Sequence, residues 1–233
     1  MDCKNVEKEL QKLKNPKKAE ILSRFFKTGK GEYGQGDIFL GVTVPKQRQV
    51  AKKYIDLNLE DLQKLLSSKI HEHRLTALLI LVDKYKKADK ALKKRIFNFY
   101  LKNTKNINNW DLVDLSAPNI VGDFLLDKDK LILYKLVKSK NLWEKRIAIL
   151  ATYVFIKNNQ FNDALEISQI LLKDNHDLIH KAVGWMLREI GKRNQAIEEQ
   201  FLKKHHQNMP RTMLRYAIER FSEEKRRFYL KRA

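Results

Sequence analysis

The sequence predicts an all-α fold built from paired helices, and three observations support this prediction. Apolar residues recur at the three- and four-residue spacing of an amphipathic helix through most of the 233 residues. Glycine and proline, which interrupt helices, number only eight and four. No segment shows the convincing alternation of apolar and polar residues that a half-buried strand would produce. We therefore expect a chain without a β-sheet.

The predicted helices can be followed in order along the chain. Five of the eight glycines lie in residues 29–41, "GKGEYGQGDIFLG", which is the only strongly non-helical stretch. In residues 74–88, leucines and a valine share one face and charged residues gather at the end. Similar helical segments of about 10–16 residues follow at 91–103, 129–140, 143–156, 161–173, 179–193 and 209–221. With the N-terminal segments, this pattern predicts about a dozen helices.

Short connections join the predicted helices, so we expect neighbours to pack as antiparallel pairs. Pairs that recur at a spacing of roughly 40 residues predict HEAT-like repeats, on the basis of helix length and spacing alone. Such pairs stack into a helical solenoid, whose concave face could hold a rod-shaped partner such as duplex DNA. Because the glycine-rich stretch lies close to the N-terminus, the sequence indicates no internal boundary. It predicts a single domain over residues 1–233.

The charge balance points to a polyanionic partner. Lysine and arginine total 48 against 28 aspartates and glutamates, which gives a formal net charge of +20. Nucleic acid is the leading candidate, because each added cation gains from the release of counterions around the phosphates. A lysine-rich genomic composition is the alternative explanation of the excess, and the sequence leaves it open.

Several other classes of protein are disfavoured. Cys3 is the only cysteine, so an internal disulfide is impossible and a reducing compartment is expected. The first residues are charged and lack the apolar core of a signal peptide, and no apolar run approaches the length of a membrane span. We therefore expect a cytoplasmic protein that does not contact a membrane.

Metal and cofactor chemistry is also disfavoured. Two groups of histidines stand close together, at residues 71–73 ("HEH") and at His176 and His180, but neither has a clear third ligand. The glycine-rich stretch lacks both the GxGxxG spacing and the preceding strand of a dinucleotide site. We predict no metal and no cofactor.

Residues 108–119, "NNWDLVDLSAPN", place a carboxylate beside a large aromatic ring. Trp110 and Asp114 stand four residues apart and so share one face of a helix. An asparagine at 108 or 109 can cap this helix, and Asp111 falls in its first turn, where negative charge is favourable. Asp114 lies beyond the cap. It is either a functional carboxylate or an aspartate paired with a nearby arginine on a solvated face.

Two further stretches carry aromatic and basic residues. In "HDLIHKAVGWMLREIGKR", residues 176–193, Trp185 follows a glycine whose place inside a helix suggests a close approach of another backbone. A basic group surrounds it, consisting of Lys181, Arg188, Lys192 and Arg193. In "NLWEKRIAIL", residues 141–150, Arg146 precedes an apolar run and could bind phosphate or pair with an aspartate. A core tryptophan beside a solvated charged face remains the alternative for the first stretch.

These stretches, in this order and spacing, resemble the AlkD-like family of DNA alkylation repair glycosylases. The segments "NWDLVD", "WEKRIAI" and "HKAVGWMLREIGKR" carry the resemblance, and residues 33–54 and 209–221 extend it over most of the chain. The resemblance implies an all-α array of HEAT-like repeats, an α-α superhelix with a basic concave face. It also implies that Asp114 is the catalytic carboxylate, that Trp110 and Trp185 flank the sugar, and that Arg146 contacts DNA. Phe25 and Phe26 stand where some members of the family carry a tyrosine.

The activity implied by the resemblance is a monofunctional DNA glycosylase that releases cationic alkylpurines such as 3-methyladenine and 7-methylguanine from duplex DNA. We expect the enzyme to act as a monomer without an obligatory protein partner. Lys181, Arg188, Lys192 and Arg193 would help Arg146 to hold the DNA backbone. The alternative function is a HEAT-like scaffold that binds DNA or an acidic protein without catalysis.

Overall fold

The computed structural model describes residues 2–231, and these residues are predominantly helical. They contain no β-strand, only an isolated parallel bridge between Ile38 and Ile70. The α-helices are α1 (Cys3–Lys12), α2 (Pro16–Phe25), α3 (Val44–Lys53), α4 (Leu59–Leu66), α5 (His71–Lys87), α6 (Lys90–Lys102), α7 (Trp110–Ala117), α8 (Asp123–Leu125), α9 (Leu131–Val137), α10 (Leu142–Lys157), α11 (Asn162–Leu171), α12 (Asp177–Gly191), α13 (Gln195–His205), α14 (Arg211–Ala217) and α15 (Glu223–Leu230). The predicted all-α fold is confirmed.

Short helical turns complete the described chain. Three 3-10 turns span Thr104–Asn106, His206–Asn208 and Ile218–Arg220, and a π-helical turn spans Pro118–Gly122. The chain divides into two compact units, Met1–Ser116 and Ala117–Ala233. The single domain over residues 1–233 therefore stays a prediction.

In the first unit, α5 is the central helix. Every residue from 71 to 82 is buried, and α3, α4 and α6 pack against this helix. A helix that is buried all round must be apolar all round or must pair its polar groups. The segment "LTALLILV", residues 75–82, meets the first condition except at Thr76, whose hydroxyl donates to Gln47, and its leucines form the core with Val6 and Leu10 of α1. The four residues before it are polar and meet the second condition.

Glu72 fixes the end of the glycine-rich segment. Its carboxylate accepts hydrogen bonds from the backbone N–H groups of Leu40, Gly41 and Val42 at 2.9, 2.7 and 3.1 Å. Gly41 has a φ of +83°, and a Cβ there would lie 2.1 Å from the carbonyl oxygen of Asn15. Only glycine can therefore occupy this turn. The predicted non-helical stretch is confirmed. At its end, backbone N–H groups donate to the buried Glu72 carboxylate instead of to the carbonyls of a helix.

In the second unit, α10 and α12 form the centre. The helix α10 packs on α9, α11, α12 and the π-helical turn, while α12 packs on α13 and α14. Gly184 lies where α14 crosses α12, since a Cβ at this residue would be 2.5 Å from the carbonyl oxygen of Met213. The close backbone approach predicted for this glycine is confirmed.

Glu198 is a buried acid in the second unit. It lies on α13 with 1% of its surface exposed, and its Oε1 has no hydrogen-bond partner within the described residues. Burial, followed by repulsion from Glu199, raises the pKa of the Glu198 carboxyl from its usual 4.5 to about 9. The folded protein therefore holds this side chain in its neutral form at pH 7.

The Glu72→Gln variant should destabilise the protein by about 2–3 kcal/mol, because an amide turns a donor toward backbone N–H groups that need an acceptor. Urea unfolding followed by circular dichroism measures the change. The matched control is Glu60→Gln, an exposed glutamate of the same unit, which should change the unfolding free energy by less than about 1 kcal/mol. Equal losses in the two variants would contradict the assigned role of Glu72.

The Glu198→Gln variant should be more stable than the wild type at pH 8 by about 2–4 kcal/mol. The folded pKa lies above the unfolded one, so folding takes up a proton, and the wild type loses stability as pH rises from about 4.5 to 9. Glutamine mimics the neutral acid and carries no such penalty. Urea unfolding at pH 5 and pH 8 tests this, and a stability difference independent of pH would refute it.

Candidate functional site

The helix α7 begins at the aromatic and acidic stretch singled out in the sequence. Asn109 directly precedes the helix, and its side-chain oxygen accepts a hydrogen bond from the backbone N–H of Trp110, the first helical residue, at 2.8 Å. Asp111 accepts from the N–H of Leu112 at 2.8 Å and places its charge in the first turn of the helix, as predicted.

Trp110 is held by phenylalanines from the end of α2. Its half-buried ring stacks on Phe26, with centroids 5.2 Å apart and an angle of 21° between the rings. Phe25 meets the same indole edge-on at 5.9 Å, and 60% of its own surface is exposed. Phe26 is buried and stacks in turn on Phe39 at 5.1 Å. The indole is therefore fixed by a column of rings, whereas Phe25 offers an aromatic face to solvent.

His71, at the start of α5, ties α7 to the glycine-rich segment. Its Nε2 lies 2.8 Å from Asp111 and its Nδ1 lies 3.2 Å from Asp37. Asp37 also pairs with the buried Arg74 at 2.7 Å. The imidazole lies against Phe39, with ring centroids 4.6 Å apart. Two carboxylates on opposite sides of a buried ring favour its doubly protonated form, in which both nitrogens donate.

The protonation states in this cluster follow from burial and neighbouring charges. Burial by itself would lower the pKa of His71, but the Asp111 charge and the hydrogen bonds to both aspartates raise it from 6.5 to about 9. Burial would raise the pKa of Asp37, yet the hydrogen bond with His71 and the charge of Arg74 hold it below its usual value. At neutral pH the cluster therefore consists of groups of opposite charge that lie in contact with one another.

Asp114 lies one helical turn after Trp110 and is half-buried. Its charge acts on Tyr100, a fully buried tyrosine whose hydroxyl lies 2.9 Å from that of Ser116. Burial raises the pKa of Tyr100, and the Asp114 carboxylate raises it further. The first unit thus combines Trp110 and Asp114 on one helix whose first turn is anchored through Asp111.

Trp185 lies in the middle of α12, in the second unit. The ring is half-buried, with Tyr153 of α10 6.0 Å away, and its Nε1 donates to Glu189 at 3.1 Å. The indole therefore has one polar partner and keeps part of its surface accessible. Among the predicted site residues, Trp110 and Asp114 belong to the first unit, and Trp185 and Arg146 belong to the second.

Arg146 is buried inside the second unit, with 5% of its surface exposed. Its guanidinium donates to the carbonyl of Leu178, in the first turn of α12, at 2.5 Å. This hydrogen bond fixes the start of the helix that carries Trp185. A structural role for Arg146 is thus visible in the fold, and its contact with DNA stays a prediction.

The basic group around Trp185 is largely paired with carboxylates. Lys181 lies 2.6 Å from Asp177, and Lys192 lies 2.6 Å from Glu189, the residue that also binds Trp185. Arg188 pairs with Glu219 of the turn after α14. Arg193 is exposed in the turn after α12. The group therefore consists of surface ion pairs and an exposed arginine, and its binding to DNA stays a prediction.

Sequence reasoning missed the cluster around His71. In the sequence the histidines at 71–73 suggested only metal ligands, while the partners of His71 lie 34 and 40 residues away. A possible signal was the polar run "HEHR" at the start of a long apolar helix, because buried polar residues there need partners. The contacts of Phe25 and Phe26 with Trp110 likewise had no signal in the sequence pattern.

Two features are absent from residues 2–231. No group of three or more histidine, cysteine, aspartate or glutamate side chains is arranged there to hold a metal ion. None of the described helices combines the length and the apolar character needed to cross a membrane.

Comparisons with known proteins identify the family. A family model described as "DNA alkylation repair enzyme" matches residues 6–221, which is nearly the whole chain. A solved structure, a predicted DNA alkylation repair enzyme from Enterococcus faecalis, superimposes with a TM-score of 0.71 at 16% sequence identity, covering 90% of this chain and 97% of that one. Curated proteins gave no match. The structural likeness establishes a shared fold, and the family match shows that this chain belongs to the DNA alkylation repair enzyme family.

Proposed function

We propose that this chain is a monofunctional DNA glycosylase that releases cationic alkylpurines, such as 3-methyladenine and 7-methylguanine, from duplex DNA. The observation that carries the proposal is the arrangement on α7. A half-buried carboxylate, Asp114, follows Trp110 by one turn, and the helix is anchored through Asp111. Family membership supports a role in alkylation repair, while the lesion and the reaction are part of this proposal.

The chemistry suits a carboxylate beside an indole. Alkylation at N3 or N7 makes the purine cationic, so the base leaves as a neutral molecule with the electrons of the glycosidic bond and needs little general-acid assistance. Positive charge then grows on the deoxyribose, where a fixed carboxylate stabilises it. The indole face adds a quadrupole attraction of about 0.5–2 kcal/mol.

Water completes the reaction. The Asp114 carboxylate would orient a water molecule toward the anomeric carbon and accept its proton, leaving an abasic sugar with a hydroxyl group. The reaction requires neither a metal nor a redox cofactor. In this scheme Asp114 is the catalytic residue, and Trp110 contacts the sugar.

The remaining roles rest on the family resemblance. Trp185 is assigned a second contact with the deoxyribose, and Arg146 a contact with the phosphate backbone. The charged group formed by Lys181, Arg188, Lys192 and Arg193 would supply further phosphate contacts, which the net charge of +20 favours. We propose that the enzyme works as a cytoplasmic monomer on damaged duplex DNA.

The Asp114→Asn variant should release 7-methylguanine from a defined duplex about 10²-fold to 10³-fold more slowly than the wild type, because the amide cannot stabilise the sugar cation or accept a proton. Single-turnover release measures the rate. The matched control is Asp56→Asn, an exposed aspartate of the same unit, which should react at the wild-type rate. DNA affinity should be similar in all three proteins.

A wild type that binds duplex DNA with strong salt dependence, but releases no base above the spontaneous rate, would refute the glycosylase proposal. That result would favour the alternative of a DNA-binding scaffold. Release by the wild type that is unaffected by Asp114→Asn would retain the activity but remove Asp114 from the catalytic role.

The His71→Gln variant should slow single-turnover release by about tenfold without changing DNA affinity, because the anchor of α7 is weakened.

The wild-type rate should fall above pH 9. The pKa of His71 is raised to about 9, so in the folded protein its ion pairs with Asp37 and Asp111 persist at neutral pH and are lost as pH rises through about 9. The stability that these pairs contribute is complete below pH 6.5 and declines between pH 6.5 and 9. Arg74, the other cation of the cluster, lies 2.7 Å from Asp37.

The glutamine variant carries no titrating ring, so its rate should be low and nearly constant between pH 7 and 10. The control for stability alone is Val6→Ala, which removes fully buried methyl groups from α1, away from α7. It should keep the alkaline decline of the wild type. An identical pH profile in His71→Gln and the wild type would exclude His71 as a positioning residue.

A further inference from the structure

An apolar groove opens in the first unit between α2, α3 and α5. Its volume is about 500 Å³, which is in the range of ligand-binding cavities. The apolar side chains that line it are Ile21, Leu22, Phe26, Phe39, Val42, Val44, Pro45 and Leu75. The groove is lined by residues of one compact unit; it includes His71 and Asp111, which anchor α7, but not Asp114 or Trp110.

The buried polar side chains of the groove are already engaged inside the protein. Glu72 binds three backbone N–H groups, and His71 lies between two aspartates. Gln47 donates to the carbonyl of Val42 at 2.7 Å. These groups have little capacity left to recognise the hydrogen-bonding edge of a nucleobase. The groove therefore suits an occupant that presents carbon rather than donors and acceptors.

The mouth of the groove exposes large apolar side chains. None of the ten residues of α2 is buried, and Ile21 on this helix has 65% of its surface exposed. Val44, on the opposite side at the start of α3, is 42% exposed. Exposed apolar side chains that flank a concave apolar surface are typical of a site that binds a partner.

A second, smaller pocket adjoins the groove and is strongly basic. Its volume is about 220 Å³, and Lys18 and Thr43 border both cavities. Four exposed lysines surround it, at positions 12, 14, 18 and 46, and none of its lining residues is acidic. An apolar cavity thus continues into a cluster of positive charge, which selects occupants that are both apolar and anionic.

We infer that this composite surface binds an acidic peptide segment of a partner protein, with a large apolar side chain in the groove and neighbouring carboxylates on the four lysines. Duplex DNA matches the lysines but presents no apolar group of comparable size. A second copy of this chain, with its net charge of +20, would be repelled. An acidic peptide with an apolar anchor meets both requirements, and the inference does not require that the chain be a glycosylase.

Fluorescence anisotropy with a labelled synthetic peptide, four aspartates followed by leucine and phenylalanine, tests the inference. We expect a Kd of about 1–100 μM at about 0.15 M salt. A peptide with serines in place of the two apolar residues, and one with asparagines in place of the aspartates, should each bind at least about tenfold more weakly.

Protein variants locate the site. The substitutions Ile21→Glu and Val44→Asp act on the apolar mouth, and Lys46→Glu acts on the basic cluster; each should weaken binding at least about tenfold. All three residues are exposed, so the fold should persist. The matched controls are Leu131→Glu, an exposed leucine of the second unit, and Lys94→Glu, an exposed lysine of α6. Both should bind the peptide as the wild type does.

Three results would overturn the inference. The first is the absence of measurable peptide binding. The second is equal binding of the serine peptide, which would reduce the interaction to charge alone. The third is a loss of duplex DNA affinity in Ile21→Glu as large as the loss of peptide affinity, with DNA displacing the peptide, which would assign the groove to the nucleic-acid surface.

Discussion

The polar first turn of α5 is the constraint on which the first unit depends. A glycine-rich segment within a helical protein cannot satisfy its own backbone groups, and there is no sheet to accept them in the described part of the chain. Glu72 takes three of its N–H groups, and Arg74 and His71 hold Asp37 of the same segment. Charge-assisted bonds of this kind contribute about 1.5–3 kcal/mol each, and leaving such a group unpaired costs at least as much.

The first turn of α5 also fixes the position of the candidate site. His71 contacts Asp37 on one side and Asp111 on the other, so the glycine-rich segment and the start of α7 share one anchor. The rings of Phe26 and Phe39 cover the imidazole and keep water from the ion pairs, while Phe26 also supports Trp110. Burial makes these pairs sensitive to the loss of a partner, because an unpaired charge would remain in an apolar setting. The orientation of α7 therefore depends on residues that do not belong to it.

Much of the fold could be predicted from the sequence because helical periodicity is a local signal. The predicted helical segment 74–88 ends one residue beyond the end of α5. The predicted segment 143–156 begins and ends within one residue of α10. The crossing at Gly184 was also predictable, since a glycine inside a helix is costly unless another backbone approaches. Such inferences need only the neighbours of a residue in the chain.

The contacts of the candidate site could not be predicted in the same way. The pairing of His71 with Asp37 and Asp111 joins residues more than thirty positions apart, and no periodicity encodes it. Sequence alone also could not tell that Arg146 binds a carbonyl of α12 or that Lys181 and Lys192 face carboxylates. Side-chain partners depend on how helices pack, whereas the helices themselves depend on local composition.

The pairing of the basic residues affects how the second unit could meet DNA. The ion pairs of Lys181, Lys192 and Arg188 involve side chains with partial exposure, and surface pairs of this kind contribute only about 0–1 kcal/mol. A phosphate could replace the carboxylate in each pair at little cost, so pairing does not disqualify these residues from DNA binding. Arg146 differs, because moving its buried guanidinium would release the first turn of α12. Any phosphate contact by Arg146 must therefore be added to its structural hydrogen bond rather than replace it.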